Sequence, residues 1–264
     1  MIMRSVLLGI QCLLLPAAEI AWPLDAQEEA QPATPARPAP PKTAREEAPI
    51  DLTGYWISVV TQDWRWRMVT PKKGDYSGIP LNAEGRKIAD AWDPAKDEAG
   101  GDQCKAYGAP AIMRVPGRLH IAWQDANTLR MDTDAGTQTR LFHFRGSTIP
   151  SGEATWQGDS SAQWELVRTK IPPHTPGPVH GGSLKVVTTH LRPGYLRKNG
   201  VPYGASTVMT EYFDVFTEPN GGQSLLITTS IEDPQYLSQS ILLNTNFKKL
   251  PDVTGWNPTP CSAR

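Results

Sequence analysis

After Asp51 the chain is a series of short runs rich in β-branched and aromatic residues, separated by glycine, proline, asparagine and aspartate. Runs of this kind are typical of β-strands, and the residues between them are typical of tight turns. No long segment between the runs has a helical pattern, which disfavours a parallel βαβ fold. The pattern therefore predicts a mainly β domain over residues 51–264, either a single antiparallel β-barrel or a bent sandwich.

One short helix interrupts this series. Asn82 is a suitable N-cap for a helix over Ala83–Trp92, and Asp93-Pro94 ends it. The predicted strands are Leu52–Val60, Trp64–Val69, Ile112–Val115, Arg118–Trp123, Thr128–Thr133, Thr137–Phe144, Gln163–Arg168, Leu184–Leu191, Val208–Phe216, Leu225–Ile231 and Ile241–Phe247. We expect about ten or eleven strands in all.

The first fifty residues have a different character. Residues 1–26 combine Arg4, an apolar run and a region of small residues, which is the pattern of a cleavable signal peptide. The apolar run is too short to span a bilayer, so we expect no integral membrane span. Residues 27–50 are rich in proline and alanine and predict a disordered spacer. Together they predict a periplasmic or secreted bacterial protein.

Two cysteines, Cys104 and Cys261, lie in the predicted domain. A pair of cysteines in an oxidising compartment favours a disulfide bond. Two free thiols or a pair of metal ligands are the alternatives.

The charge balance and the motifs exclude several functions. Lys plus Arg number 26 against 27 acidic residues, so the chain has no overall positive charge with which to attract nucleic acid. The nucleophile elbow, the zinc-protease motif, the P-loop and the dinucleotide fingerprint are all absent from the sequence. We expect no cofactor, and whether the protein is an enzyme stays open.

Two resemblances concern the predicted domain. Gly54-Tyr55-Trp56 resembles the G-x-W signature of lipocalins, and Thr210-Glu211-Tyr212 is similar to their T-D-Y element. The lipocalin resemblance implies a barrel whose floor is closed by the tryptophan and whose interior holds a small apolar ligand.

The second resemblance covers roughly residues 51–260. The chain resembles a group of secreted bacterial β-rich proteins of uncharacterised activity in Cys104, Pro116–Ile121, Thr133–Gly136, Trp156–Asp159, Trp164-Glu165, Thr210–Phe213 and Ile231–Pro234. This resemblance implies compartment and fold, and it implies no activity.

The histidines fall into two groups, and only one of them is a candidate site. His174, His180 and His190 have no recognised zinc spacing and follow a proline-rich stretch, so we predict no metal site there. His120 and His143 lie on predicted strands, and with Glu211 they form a candidate acid/base set if their faces line a barrel. The alternative for His120 is a position on the outer, solvated face.

Cations alternate with tyrosines between the predicted strands 184–191 and 208–216. Arg192, Tyr195, Arg197 and Tyr203, together with Trp164, are our candidate ligand-binding residues. Guanidinium groups and aromatic rings can hold an anionic or aromatic molecule by charge-assisted hydrogen bonds and stacking. Lys198 is a further cation of this group. The alternative is a rigid hairpin with ordinary surface charge.

The leading hypothesis is an exported lipocalin-like protein that binds a small apolar or aromatic molecule in its barrel. A cofactor-independent isomerase, lyase or hydratase that uses a His/carboxylate pair in the same cavity is one alternative. An envelope protein-interaction domain is the other. An enzyme needs converging His and carboxylate side chains, whereas a binding protein needs only one or two polar groups.

Overall fold

The computed structural model describes residues 41–149, 152–171 and 175–264. Its strands are β1 (Gly54–Val59), β2 (Arg118–Trp123), β3 (Thr128–Thr133), β4 (Gln138–His143), β5 (Asp159–Ile171), β6 (Thr175–Thr189), β7 (Gly194–Arg197), β8 (Val201–Tyr203), β9 (Val208–Thr217), β10 (Gln223–Glu232) and β11 (Ile241–Leu250). The helices are α1 (Ala44–Glu47), α2 (Trp64–Arg67), α3 (Ala83–Asp90), α4 (Pro94–Ala99) and α5 (Ala109–Ile112), with a 3-10 turn at Lys105–Tyr107. The predicted mainly β barrel is confirmed.

Nine strands form the barrel, in the order β1-β11-β10-β9-β6-β5-β4-β3-β2 and back to β1. Antiparallel neighbours alternate in direction, so a ring made only of antiparallel pairs needs an even number of strands. Nine strands close because β4 and β5 run parallel, pairing Phe142 with Ser160 and His143 with Ser161. The barrel therefore differs in strand number and in this one pairing from the eight-stranded up-and-down barrel of lipocalins.

Strands β7 and β8 form a separate two-stranded hairpin, inserted between β6 and β9. Asn199-Gly200 makes its turn, with Gly200 in the left-handed region at φ +83°. The hairpin, α3 and the ends of β9 to β11 share a second apolar core, to which Leu196, Tyr203 and Met209 belong. Met209 and Ile231 lie on the inward faces of β9 and β10, so this core joins the hairpin to one end of the barrel interior.

The predicted strand Trp64–Val69 is wrong: residues 64–67 form α2. Residues two apart lie on one face of a strand but about 200° apart on a helix. Accordingly Trp64 is exposed, whereas the ring of Trp66 packs between the guanidinium groups of Arg65 and Arg197. The alternation of tryptophan and arginine did not distinguish the two structures.

The predicted strand Ile112–Val115 is also wrong, because Ile112 ends α5 and the chain turns at Met113. The helix predicted over Ala83–Trp92 is confirmed as α3, with Asn82 as its N-cap, although it ends at Asp90. It is accompanied by further short helices that the sequence pattern did not predict. These helices all precede β2 and lie outside the barrel wall.

Packed structure begins before the predicted boundary at Asp51. Thr43 caps α1 through a capping box with Glu46, and Ala44 is buried. The Trp164 indole donates a hydrogen bond to the carbonyl oxygen of Ala44 at 2.7 Å. The residues from Thr43 onward therefore belong to the barrel domain. The predicted signal peptide and the spacer up to residue 40 lie outside the described residues.

The predicted disulfide between Cys104 and Cys261 is confirmed, with their Cα atoms 5.1 Å apart. It fastens the C-terminal segment across the β3–β4 turn, where the Thr259 amide donates to the carbonyl oxygen of Asp134 at 2.9 Å. None of the helices in the described ranges is long and apolar enough to cross a membrane.

Arg140 and Glu211 form a buried ion pair in the barrel interior, and we expect its loss to be costly. Glu211→Ala leaves the guanidinium of Arg140 buried and uncompensated, so the free energy of unfolding should fall by about 3–5 kcal/mol. Arg140→Met combined with Glu211→Leu should recover most of that loss, because the paired charges are replaced by apolar groups. Urea unfolding of the single and double variants measures both effects.

The control is Glu165→Gln, which removes an exposed carboxylate 3.6 Å from the Lys185 ammonium. This change should alter the free energy of unfolding by less than about 0.5 kcal/mol. A loss as small for Glu211→Ala as for Glu165→Gln would show that the buried pair does not stabilise the barrel.

Candidate functional site

The lumen of the barrel is filled by side chains. Inward-facing residues that are at most 1% exposed come from eight of the nine strands, and they include Trp56, Ile121, Met131, Arg140, Phe142, Leu184, Phe213, Ile227 and Phe247. A side chain with no exposed surface borders no space large enough for water. The lumen beside these residues therefore has no room for a ligand.

Glu211 lies in this lumen, where both of its oxygens accept hydrogen bonds from Arg140, at 2.5 and 3.1 Å. The Arg140 guanidinium also donates to Thr188 and lies 4.9 Å from the ring centroid of Phe142. Both charged side chains are at most 1% exposed. The predicted catalytic carboxylate is thus held in a buried ion pair.

The two histidines of the predicted acid/base set are elsewhere. His120 lies on the outer face of β2, stacked on Tyr55 at 4.3 Å between ring centroids, with Nδ1 4.0 Å from Asp132. His143 lies on the outer side of β4, with Nδ1 2.9 Å from the Ser147 hydroxyl. The structure does not bring His120, His143 and Glu211 together, because the barrel wall separates the histidines from the carboxylate.

Three of the predicted ligand-binding residues have intramolecular roles. Arg192 is exposed, donates to Asp102 at 2.9 Å and lies over the Trp156 ring. The Tyr195 hydroxyl donates to Asp97, and burial together with that carboxylate raises the pKa of Tyr195. Tyr203 is fully buried in the second core, where burial raises its pKa.

Arg197, by contrast, lines a cavity of about 360 Å³ outside the barrel. Five separate segments build this cavity: α2 and the residues after it, the segment around α5, the β3–β4 turn at Ala135, the end of β7, and the disulfide-linked C-terminal segment. The cationic members of its wall are Arg67, Arg114, Arg197 and Lys198. We call this space the arginine cavity.

Each arginine is fixed by at least one hydrogen bond. The Arg67 Nε donates to the carbonyl oxygen of Arg114 at 3.0 Å, and Arg197 Nη1 donates to the carbonyl oxygen of Ser77 at 2.8 Å. Arg114 Nη2 pairs with the carboxylate of Asp63. Asp63 itself is in the left-handed region at φ +52°, a conformation that a non-glycine residue adopts at a cost.

Some donors in the cluster have no partner. Nη2 of Arg67 and Nη1 of Arg114 are buried and make no hydrogen bond within the described part of the chain. Buried donors without partners are rare in folded proteins, and each is costly to the folded state. The two guanidinium groups that carry them both lie in the wall of the arginine cavity.

The positive charges of the cluster repel one another. Burial and, secondarily, the neighbouring charge of Arg114 lower the pKa of Arg67 to about 10. The same two causes lower the pKa of Arg197 to about 10. Both groups remain charged at neutral pH, so the cavity presents unneutralised positive charge in a partly buried setting.

Sequence reasoning found Arg197 and Lys198 but missed Arg67 and Arg114. Arg67 and Arg114 both lie in segments that were predicted as strands, and Arg67 is in fact in α2. No local pattern marks Arg114 as a neighbour of residues 47 and 83 positions away. Only the folded chain brings them together.

A second cavity, of about 520 Å³, lies where α1 covers the barrel wall. Its apolar lining includes Phe144, Trp164 and Leu166, and Trp164 lies 5.2 Å from Phe144 between ring centroids. Trp164 was predicted to contact a ligand, and the structure places it in the wall of this space. We call it the α1 cavity.

The remaining predicted histidine positions give no metal site. His190 pairs with Asp159 at 2.8 Å, His180 is exposed, and His174 lies outside the described residues. Within the ranges 41–149, 152–171 and 175–264, no three histidine, cysteine, aspartate or glutamate side chains converge as metal ligands would.

Comparison with known proteins yields no family assignment. No protein-family model matches the sequence, and no curated protein matches it. The function is therefore inferred from the residues and the geometry of the two cavities.

The repulsion in the arginine cavity predicts an unusual response to mutation. Arg67→Met removes a buried charge that has no carboxylate partner, so the free energy of unfolding should stay unchanged or rise by about 1 kcal/mol. The folded-state pKa of Arg67, about 10, lies below the ordinary value of 12.5. The repulsion is therefore present in full below that folded-state pKa and is relieved only as the pH rises through it.

Urea unfolding at several pH values measures this effect. The difference between Arg67→Met and wild type should be constant between about pH 6 and 9 and should shrink above about pH 10. Arg130→Met is the control, because Arg130 is exposed and pairs with Asp132 at 2.8 Å. A loss of several kcal/mol for Arg67→Met would show that Arg67 is a stabilising core residue.

Proposed function

We propose that the protein is a binding protein for a small organic anion, held in the arginine cavity. The observation that carries this proposal is the set of cations without carboxylate partners. Of the cationic side chains in the cavity wall, Arg114 pairs with Asp63 and Lys198 donates to the Arg264 carboxyl oxygen at 3.3 Å, whereas Arg67 and Arg197 have no carboxylate within 4.0 Å in the described ranges. Asp75, the other nearby acidic group, pairs with Arg65.

The chemistry of these donors favours an oxyanion. Guanidinium groups bind carboxylate and phosphate through two parallel N–H donors, and such charge-assisted bonds are about twice as strong as neutral ones. Arg67, Arg114 and Arg197 line the cavity, so an oxyanion that enters it meets guanidinium groups. A bound anion would also offset the repulsion that lowers the pKa of Arg67 and Arg197.

The rest of the wall favours an organic rather than an inorganic anion. Met68, Val69, Val115, Pro116 and Leu196 line the cavity beside the cations. Sites for small organic molecules combine apolar side chains with polar groups that fix orientation, and both kinds are present here. The volume of about 360 Å³ suits a molecule with a small apolar body and one or two charged groups.

We infer export from the cytoplasm as the setting of this function. The Cys104–Cys261 disulfide supports an oxidising compartment, because disulfides are rare in the reducing cytosol. The predicted signal peptide over residues 1–26 points the same way and stays a prediction.

Calorimetric titration with benzoate, phenyl phosphate and inorganic phosphate tests the anion site. We expect binding by wild type, and a loss of about tenfold or more in affinity for Arg197→Gln, because a charge-assisted hydrogen bond contributes about 1.5–3 kcal/mol. Arg192→Gln is the matched control, since Arg192 lies on the neighbouring segment but outside the arginine cavity. Equal losses for both variants, or no binding of any of these anions, would refute the proposal.

A second candidate function is the binding of an apolar ligand in the α1 cavity rather than in the barrel lumen. The α1 cavity, with Phe144, Trp164 and Leu166 in its wall, has room for a neutral apolar molecule. Fluorescence titration with Nile red tests it: Leu166→Lys should lower the affinity about tenfold if the dye binds there, because a charge then borders the apolar wall. Leu242→Lys is the control, on the outer face of β11, where the side chain is exposed.

A further inference from the structure

Three large apolar side chains are exposed together at the rim of the arginine cavity. Trp64 is 65% exposed, Met68 59% and Val69 68%. The Met68 amide donates to the carbonyl oxygen of Trp64 across the single turn of α2, so these residues lie on adjacent parts of one short segment. Other exposed apolar side chains in the described ranges are scattered over the barrel strands and loops. We call Trp64, Met68 and Val69 the α2 rim.

Positive charge borders one side of the α2 rim. Lys72 and Lys73 are exposed and follow Val69 by three and four residues. Arg65 is exposed but pairs with Asp75, and Asp63, next to Trp64, pairs with Arg114. An apolar patch bordered by cations is complementary to the surface of a membrane that contains anionic lipids, where acyl chains lie below negatively charged headgroups.

The rim and the arginine cavity are continuous. Met68 and Val69 are exposed and also line the cavity, with Arg67, Arg114 and Arg197 behind them. A molecule that entered from this side would meet apolar side chains at the opening and guanidinium groups inside. A lipid headgroup that rises from a membrane presents its phosphate in this order, with the acyl chains remaining at the rim.

From these observations we propose that the protein docks on anionic lipid surfaces through the α2 rim and takes the phosphate of a lipid headgroup into the arginine cavity. This inference rests on the proposed anion-binding function and specifies the source of the anion. Three apolar side chains are too few for a stable protein interface, which buries about 800 Å² on each partner. They suffice for shallow insertion among headgroups when electrostatic attraction contributes.

Co-sedimentation with lipid vesicles tests the inference. Vesicles of phosphatidylcholine alone are compared with vesicles of phosphatidylcholine and phosphatidylglycerol in equal amounts. Wild type should sediment with the anionic vesicles and stay in solution with the neutral ones, and added salt should weaken the binding. The double variant Trp64→Ser/Met68→Ser should bind the anionic vesicles about tenfold more weakly.

Two further variants separate the parts of the inference. Arg197→Gln should also weaken vesicle binding, since it removes a headgroup contact while the rim is intact. Phe216→Ser is the matched control: Phe216 is a 53% exposed aromatic residue on β9, and its loss should leave vesicle binding unchanged. Circular dichroism of each variant confirms that it is folded before binding is compared.

The outcomes distinguish failure of the lipid inference from failure of the anion-binding function on which it rests. Calorimetric binding of glycerol 3-phosphate without any sedimentation on vesicles would overturn the lipid inference and leave the anion site standing. Absence of both would overturn both. Sedimentation that is unaffected by Arg197→Gln, or equal on neutral and anionic vesicles, would show that no headgroup enters the cavity. Vesicle binding by the Trp64→Ser/Met68→Ser variant equal to that of wild type would show that the α2 rim does not dock on the membrane, and would overturn the lipid inference.

Discussion

The parallel pairing between β4 and β5 is the constraint on which the architecture depends. It allows nine strands to close, but it joins β4 to β5 over only two residue pairs. Beyond Ser161, β5 therefore has no strand partner on that side, and an unpaired strand edge exposes hydrogen-bonding groups that must be covered. The segment around α1 covers this edge, which explains why the domain begins before Asp51 and why Trp164 bonds to Ala44.

Closure also determines where a ligand can lie. A barrel of this size has an interior only slightly wider than its side chains, and here aromatic residues and the Arg140–Glu211 pair fill it. Binding space is left outside the wall, where the inserted β7–β8 hairpin, α2 and the C-terminal segment meet. The disulfide holds the last of these: it closes a loop of 157 residues, which corresponds to about 5 kcal/mol of chain entropy removed from the unfolded state.

Strand prediction succeeded where turn chemistry and alternation agreed. Turn residues, Asp134-Ala135-Gly136 and Asn220-Gly221-Gly222, separate two pairs of predicted strands, and the strands on either side of each were found. It failed at Trp64–Val69, where four residues of alternation fit a strand and a helical turn equally well. For the site, the cations and tyrosines around β7 were predicted as a group, and of these Arg197 and Lys198 line the arginine cavity. Which of them faces a cavity depended on Asp97 and Asp102, whose pairing with Tyr195 and Arg192 no local pattern reveals.

By itself the sequence determined the class of structure, because strand periodicity and turn residues act over a few neighbouring positions. It also determined the disulfide, because only two cysteines remain in the domain. The tertiary structure alone decided that the lumen is filled and that Arg67, Arg114 and Arg197 meet. Both outcomes depend on which faces of distant segments come together, and long-range contacts of this kind leave no periodic trace in the chain.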